Sequence, residues 1–183
     1  MTGFIFTTAL PPGVLAGAEA AVKYLMSHDR ERQVQQLNAL RLKKAFATMN
    51  LPSMSNPSHM VPVLIGDAVM ARRASQMLLD KWNIYVQAVN FPTVPEGTER
   101  LRFAPTPGHG QAHIDHLVKA MDSVWNELGL RRTDDWAREG VSEILSKDET
   151  PEMIWTREQL GVTNLDQEIY QRSCAGKRLN KLP

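Results

Sequence analysis

The residues best suited to chemistry fall into three small groups. Arg100-Leu101-Arg102-Phe103 alternates strictly, so a strand period of two puts both arginines on the face opposite Leu101 and Phe103. An arginine fixed on a strand, next to a loop holding Pro105, Pro107 and Gly108, presents a rigid fork of donors that suits a carboxylate. From spacing alone, the plainer account is preferred: a solvated sheet face with Glu96 or Glu99 as ion partner. The second group, Thr7-Thr8, follows the apolar triplet Phe4-Ile5-Phe6 and precedes a helix start at Pro11-Pro12. Hydroxyls and free N–H groups at such a place suit a phosphate, although ordinary turn chemistry with one capping hydroxyl explains them as well. The third group is histidine. His109 and His113 are four apart, like zinc-binding pairs on a helix, but His109 lies in the Pro-Gly loop and no Glu follows it as H-E-x-x-H requires. His113 and His116 read as a surface helix pair flanking Asp115, and no metal site is expected. No Gly-rich phosphate loop, G-x-S-x-G elbow or Cys/His cluster is present.

These groups need elements to hold them. Val14, Leu15, Ala18, Ala21, Val22, Leu25 and Met26 recur at helical spacing, predicting a helix over 12–27 with one buried face and Pro12 in its first turn. A second helix fits 29–49, with Val34, Leu37, Ala45, Phe46 and Met49 on one side and Asp29 as a cap. Within it, Arg41-Leu42-Lys43-Lys44 is the densest basic patch and reads as a solvated face. Residues 51–58 form a loop by composition, and 60–65 a strand that Pro62 confines to an edge or a strand start. Gly66-Asp67 turns the chain into a helix over 68–82. Ile84-Tyr85-Val86 is rich in β-formers and reads as a short strand, followed by a loop from Asn90 to Gly97 and the strand at 100–103. Residues 110–128 carry the cleanest helical stripe: Ile114, Leu117, Val118, Met121, Trp125 and Leu128. The order predicts an α+β fold with helices packed on a small, mostly antiparallel sheet over 1–129. Beyond Gly129 the periodicity weakens, so 130–183 reads as a polar appendage, with short helices signalled by Thr150-Pro151 and Thr156-x-x-Gln159.

Composition narrows the class. The chain has 183 residues, 43% hydrophobic and 22% charged, as expected of one globular domain with an appendage. A net charge of +1 without a basic cluster gives no support for nucleic-acid binding. No stretch approaches the roughly 20 apolar residues of a membrane span. Ala16-Gly17-Ala18 resembles a leader cleavage site, but Pro11-Pro12 and Glu19 interrupt the apolar run that export requires. The lone Cys174 forms no internal disulfide, and a reducing, cytoplasmic setting is expected.

Four longer stretches occur in one order at natural spacings: "GFIFTTALPP" at 3–12, "PSHMVPVLIGD" at 57–67, "IYVQAVNFPTVPEGTERLRFAPTPGH" at 84–109 and "HIDHLVKAMDSVW" at 113–125. Together they resemble the C-terminal part of the α-oxoamine synthases, pyridoxal-phosphate enzymes of fold type I. The wording "FIFTTALPP" favours their 5-aminolevulinate synthase branch. The resemblance implies the small C-terminal domain of that fold, with 1–28 as a linking helix and interface loop. It implies an enzyme, working as a homodimer, that condenses glycine with succinyl-CoA to give 5-aminolevulinate, CoA and CO2 in haem biosynthesis. Arg102 is then the substrate-carboxylate residue, Thr93 of "FPTVP" a substrate-pocket residue, and Thr7, with Thr8 beside it, a contact to the cofactor phosphate. The family's Schiff-base lysine lies upstream of "GFIFTT", so no catalytic residue is assigned in this chain, and alone it is expected to be inactive. Glu96 stands where "VPRG" carries a basic residue. The alternatives are a non-catalytic module that docks on or regulates a full-length synthase, and a fragment of another α-oxoamine synthase.

Overall fold

The computed structural model describes residues 9–141. The chain divides into two compact units, Met1–Arg32 and Gln33–Pro183. Thr7, Thr8 and the helix signals at Thr150 and Thr156 lie outside the described residues.

In the first unit, helix α1 (Pro12–Ser27) starts where predicted, with Pro12 in its first turn and the Pro11 carbonyl accepting from the Val14 and Leu15 amides. Its end is closed by side chains. Ser27 Oγ bonds the Lys23 and Tyr24 carbonyls, and His28 stacks on Tyr24 at 4.0 Å. The Glu31 carboxyl is held below its ordinary range by a backbone hydrogen bond, and then by the Tyr24 hydroxyl, which donates to it. The buried face predicted for α1 is not buried: Val14 is 55% exposed, Val22 58% and Met26 81%. The apolar spacing is present, but no described residue covers it.

The second unit is built on a three-stranded antiparallel sheet of order β1-β3-β2, with β1 Val61–Leu64, β2 Gln87–Val89 and β3 Arg100–Phe103. Three helices pack on it: α2 (Arg30–Thr48), which begins in the first unit, α3 (Ala68–Trp82) and α4 (Gln111–Leu128). The α+β layering is as expected. Leu101 and Phe103 of β3, Val61 and Val63 of β1, Leu42 and Phe46 of α2, Leu78 of α3, and Met121 and Trp125 of α4 form one core. Phe46 meets Phe103 edge to face at 5.4 Å, a favoured aromatic geometry. Pro62 sits on an edge strand, where its missing N–H costs little. At the outer side of β1, Met54 N bonds the Pro62 carbonyl and Leu64 N bonds the Pro52 carbonyl.

Two local readings are corrected. The strand expected at 84–86 lies instead at Gln87–Val89. Asn83 adopts the left-handed conformation that ends α3, Ile84 N then bonds the Leu78 carbonyl, and the Val86 carbonyl accepts from Ser75 Oγ at 2.6 Å. The backbone of 84–86 is thus committed to closing the helix before the chain reaches β2. The basic patch on α2 is also not a solvated face. Leu42 is buried, and Lys43, 9% exposed, donates Nζ to the Asn56 and Ser58 carbonyls at 2.7 and 2.8 Å. Burial lowers the Lys43 pKa.

The Gly66-Asp67 turn is fixed from several sides. Ile65 N and Gly66 N both donate to the Glu99 carbonyl, Asp67 Oδ1 caps α3 through Met70 N, and Gly66 has φ +75°. Beyond Gly129, helix α5 (Thr133–Arg138) buries Trp136 in a small cluster with Leu64, Met54 and Val141. The Arg131 guanidinium lies 3.5 Å over the Trp136 ring.

Candidate functional site

Arg102 occupies the middle strand, opposite Pro62 on one side and Gln87 on the other. The strand alternation works as the sequence implied: Leu101 and Phe103 are buried, while Arg102 is exposed on the other face. The two arginines of that face are not equivalent. Arg100 folds back onto its own strand, donating to the Thr98 carbonyl and hydroxyl at 2.8 and 3.0 Å. Partial burial lowers its pKa against the opposing effect of Glu99. Arg102 makes one side-chain hydrogen bond among the described residues, to the neutral Gln87 Oε1 at 2.5 Å, and no ion pair. Neither Glu96 nor Glu99 pairs with it, so the plainer account of this arginine loses its proposed partners. Glu99 is 4% exposed instead, with Oε2 buried and unpartnered.

Arg102 lines an open cavity of about 570 Å3. Its floor is apolar, from Leu42, Phe103, Ile114 and Leu117, and its polar rim carries Gln87, His109, His113 and His116. Each histidine is held. His109 Nδ1 accepts from Thr106 N at 3.0 Å, His113 Nδ1 accepts from Gly110 N at 3.2 Å, and His116 Nε2 bonds the Trp82 carbonyl at 2.9 Å. Desolvation, and then the neighbouring His113, lower the His109 pKa from its ordinary 6.5. An arginine fork beside hydrogen-bonded imidazoles on an apolar floor is suited to a small carboxylate.

Thr93 is placed elsewhere. It is exposed in the β2–β3 connection, with its N–H on the Asn90 carbonyl at 3.0 Å. The register pairs Val89 with Arg100 and Gln87 with Arg102, so that connection lies at the opposite end of the strand pair from Arg102. Thr93 does not line the cavity. The described residues therefore do not bring Arg102 and Thr93 together. They also supply no covalent anchor for a cofactor at Arg102. Lys43 is committed to carbonyls, Lys23 and Lys81 pair with Glu19 and Glu127, and no lysine lines the cavity.

Sequence reasoning missed Asn38, which is 1% exposed and donates Nδ2 to the Thr106 and His109 carbonyls at 2.9 and 2.8 Å. The signal was available. Residues 38, 42 and 46 share one helical stripe, and an amide one turn before buried Leu42 and Phe46 demands partners.

The family model for class I and II aminotransferases matches residues 1–121. The chain belongs to that family. Over nearly all its length it is similar to mitochondrial 5-aminolevulinate synthases: 49% identical to that of Neurospora crassa, covering 96% of this chain and 28% of the relative. To that of Saccharomyces cerevisiae it is 51% identical, covering 97% of this chain and 33% of the relative. The chain thus spans about a third or less of the curated relatives it matches. Among solved structures it is similar to SPT with PLP, at TM-score 0.63 and 28% identity, covering 68% of this chain and 31% of that one. A Sphingomonas wittichii serine palmitoyltransferase matches at TM-score 0.61 and 26% identity, covering 68% and 31%. These neighbours carry the fold-type-I transferase assignment of the sheet-and-helix unit. No helix among the described residues is long and apolar enough to cross a membrane.

Proposed function

We propose that this chain supplies the substrate-carboxylate wall of a 5-aminolevulinate synthase, which joins glycine to succinyl-CoA and releases CoA and CO2. The observation that carries this is Arg102: a guanidinium on the central strand, facing a cavity, with a neutral amide as its one protein partner. Arg102 binds and orients a substrate carboxylate there, and the apolar floor excludes water from around it. Pyridoxal phosphate would supply the electron sink for the glycine carbon, and Thr7 and Thr8 would be the residues that hold its phosphate. Thr93 belongs to the substrate pocket in the assembled enzyme, away from the Arg102 cavity. The higher identity to 5-aminolevulinate synthases than to serine palmitoyltransferases favours this branch over another acyl-CoA condensation. The relatives' names place them in mitochondria, so a mitochondrial setting replaces the cytoplasmic one expected from the lone cysteine.

No lysine among the described residues lines the cavity, so in this reading the chain acts with the N-terminal half of a synthase that brings one, the assembled enzyme pairing as a homodimer. The exposed apolar face of α1 favours such docking, and it equally serves the second reading, a non-catalytic module bound to a full-length synthase. Co-expression with an N-terminal synthase segment separates the two. The first reading expects 5-aminolevulinate formation that Arg102→Ala lowers by about 100-fold or more and Arg102→Lys restores only in part. Association without activity supports the docking module, and full activity of Arg102→Ala overturns the carboxylate assignment.

A further inference from the structure

We infer that Asn38 is a positioning residue for the Arg102 cavity: its amide ties the Thr106 and His109 carbonyls into one turn and so fixes the His109 ring on the cavity wall. The inference deepens the carboxylate reading and takes the function of the cavity from it.

Asn38 sits on α2 in the stripe that also buries Leu42 and Phe46. A buried amide is costly unless both of its N–H groups find acceptors. Here the two acceptors are carbonyls three residues apart on the connection from β3 to α4. That connection is closed on itself as well. His109 N donates to the Thr106 carbonyl at 3.1 Å, and Thr106 N donates to His109 Nδ1 at 3.0 Å. With Nδ1 occupied as an acceptor, the neutral His109 ring carries its proton on Nε2. The ring's tautomer and its place on the wall therefore depend on a turn whose two carbonyls are pinned from below by one side chain. A leucine at position 38 would match the stripe but would leave both carbonyls without that donor. An aspartate would set acceptor against acceptor. Besides His109, the charged or titratable groups lining the cavity are Arg102, His113, His116 and Tyr85.

The test uses the full 183-residue chain labelled with 15N in histidine and asparagine side chains. In the unaltered chain, the Asn38 amide protons are expected to exchange slowly with water. Rapid exchange overturns the proposal without any variant being made. In Asn38→Ala and Asn38→Asp, His109 is expected to titrate higher, nearer 6.5, and to lose its Nδ1 acceptor signature. His116, anchored independently, keeps its hydrogen bond to the Trp82 carbonyl. Succinate, the carboxylate probe, is expected to bind about fivefold more weakly in both variants. Folded variants with unchanged His109 titration overturn the proposal. Arg102→Ala separates this from the carboxylate reading. If it leaves succinate binding unchanged, that reading fails, while the His109 signals still decide the role of Asn38.

Discussion

Helices α1 and α4 both carry an apolar stripe, yet α4 buries Ile114, Met121 and Trp125 while α1 buries nothing. Periodicity reports that a face is apolar. It does not report what covers the face. For α4 the cover is α3 and the shared core that the sheet and α2 complete, encoded in the same chain. For α1 no described residue supplies it. The difference separates two kinds of hydrophobic surface: one that the described residues cover, and one that they leave exposed.

The contrast breaks if the two stripes respond alike to mutation. The largest effect is expected at Trp125, 1% exposed, whose Nε1 also donates to the Arg131 carbonyl. Trp125→Ala should cost roughly 3–5 kcal/mol, read from urea unfolding of the chain. A loss below about 1 kcal/mol would mean that α4 is no better covered than α1.

Helix α5 is an intermediate case, because six residues are too few to show a stripe. Trp136 is nonetheless buried, and it is packed so closely on Gly66 that a Cβ there would lie 2.5 Å from its Cη2. Gly66 also holds φ +75°. Gly66→Ala is expected to destabilise by about 1–3 kcal/mol and to quench or shift Trp136 fluorescence. Normal stability with an unchanged spectrum would detach α5 from the sheet unit.

On α1 the order of effects should invert. Val22→Asp is expected to change the stability of the chain by less than about 0.5 kcal/mol, since the side chain is already solvated. In the co-expressed synthase the same substitution should lower activity at least about tenfold, because it charges a surface that docking must desolvate. A stability loss like that of Trp125→Ala would mean the α1 face is covered within this chain.

The same distinction explains what was legible in the sequence. The alternation of Arg100-Leu101-Arg102-Phe103 is local, and the structure repeats it residue for residue. The edge position of β1 followed from Pro62 and the end of α4 from Gly129. The apparent strand at 84–86 failed because the left-handed Asn83 cap and the bond from Ser75 Oγ to the Val86 carbonyl claim that backbone first. The basic patch at 41–44 failed for a similar reason: charge predicts exposure until two carbonyls at Asn56 and Ser58 arrive to receive Lys43. At the site, Arg102 was visible as a type at a spacing. Asn38 was legible as a buried amide on the Leu42–Phe46 stripe, but its partners, the Thr106 and His109 carbonyls, were not. Which of the two arginines stays available was not legible either, since it rests on Thr98 folding beneath Arg100.

The smallest expected effect concerns His109, and its sign follows from linkage. Desolvation and His113 hold the folded-state pKa of His109 below 6.5. Between that lowered value and 6.5 the unfolded chain binds more protons than the folded one, so stability rises with pH across this window. The contribution is complete above 6.5 and is lost as pH falls through 6.5 toward the folded value, where protonation also removes the Nδ1 acceptor from Thr106 N. The ring is largely exposed, so the slope should be shallow. Unfolding midpoints compared at pH 7.5 and pH 5.5 should differ less in His109→Gln than in the unaltered chain, once other histidines are matched by the same comparison in His116→Gln. An equal pH response in unaltered and His109→Gln chains would mean that the turn beside Arg102 does not depend on a neutral imidazole. The cavity rim would then be set by α4 and not by the α2 amide beneath it.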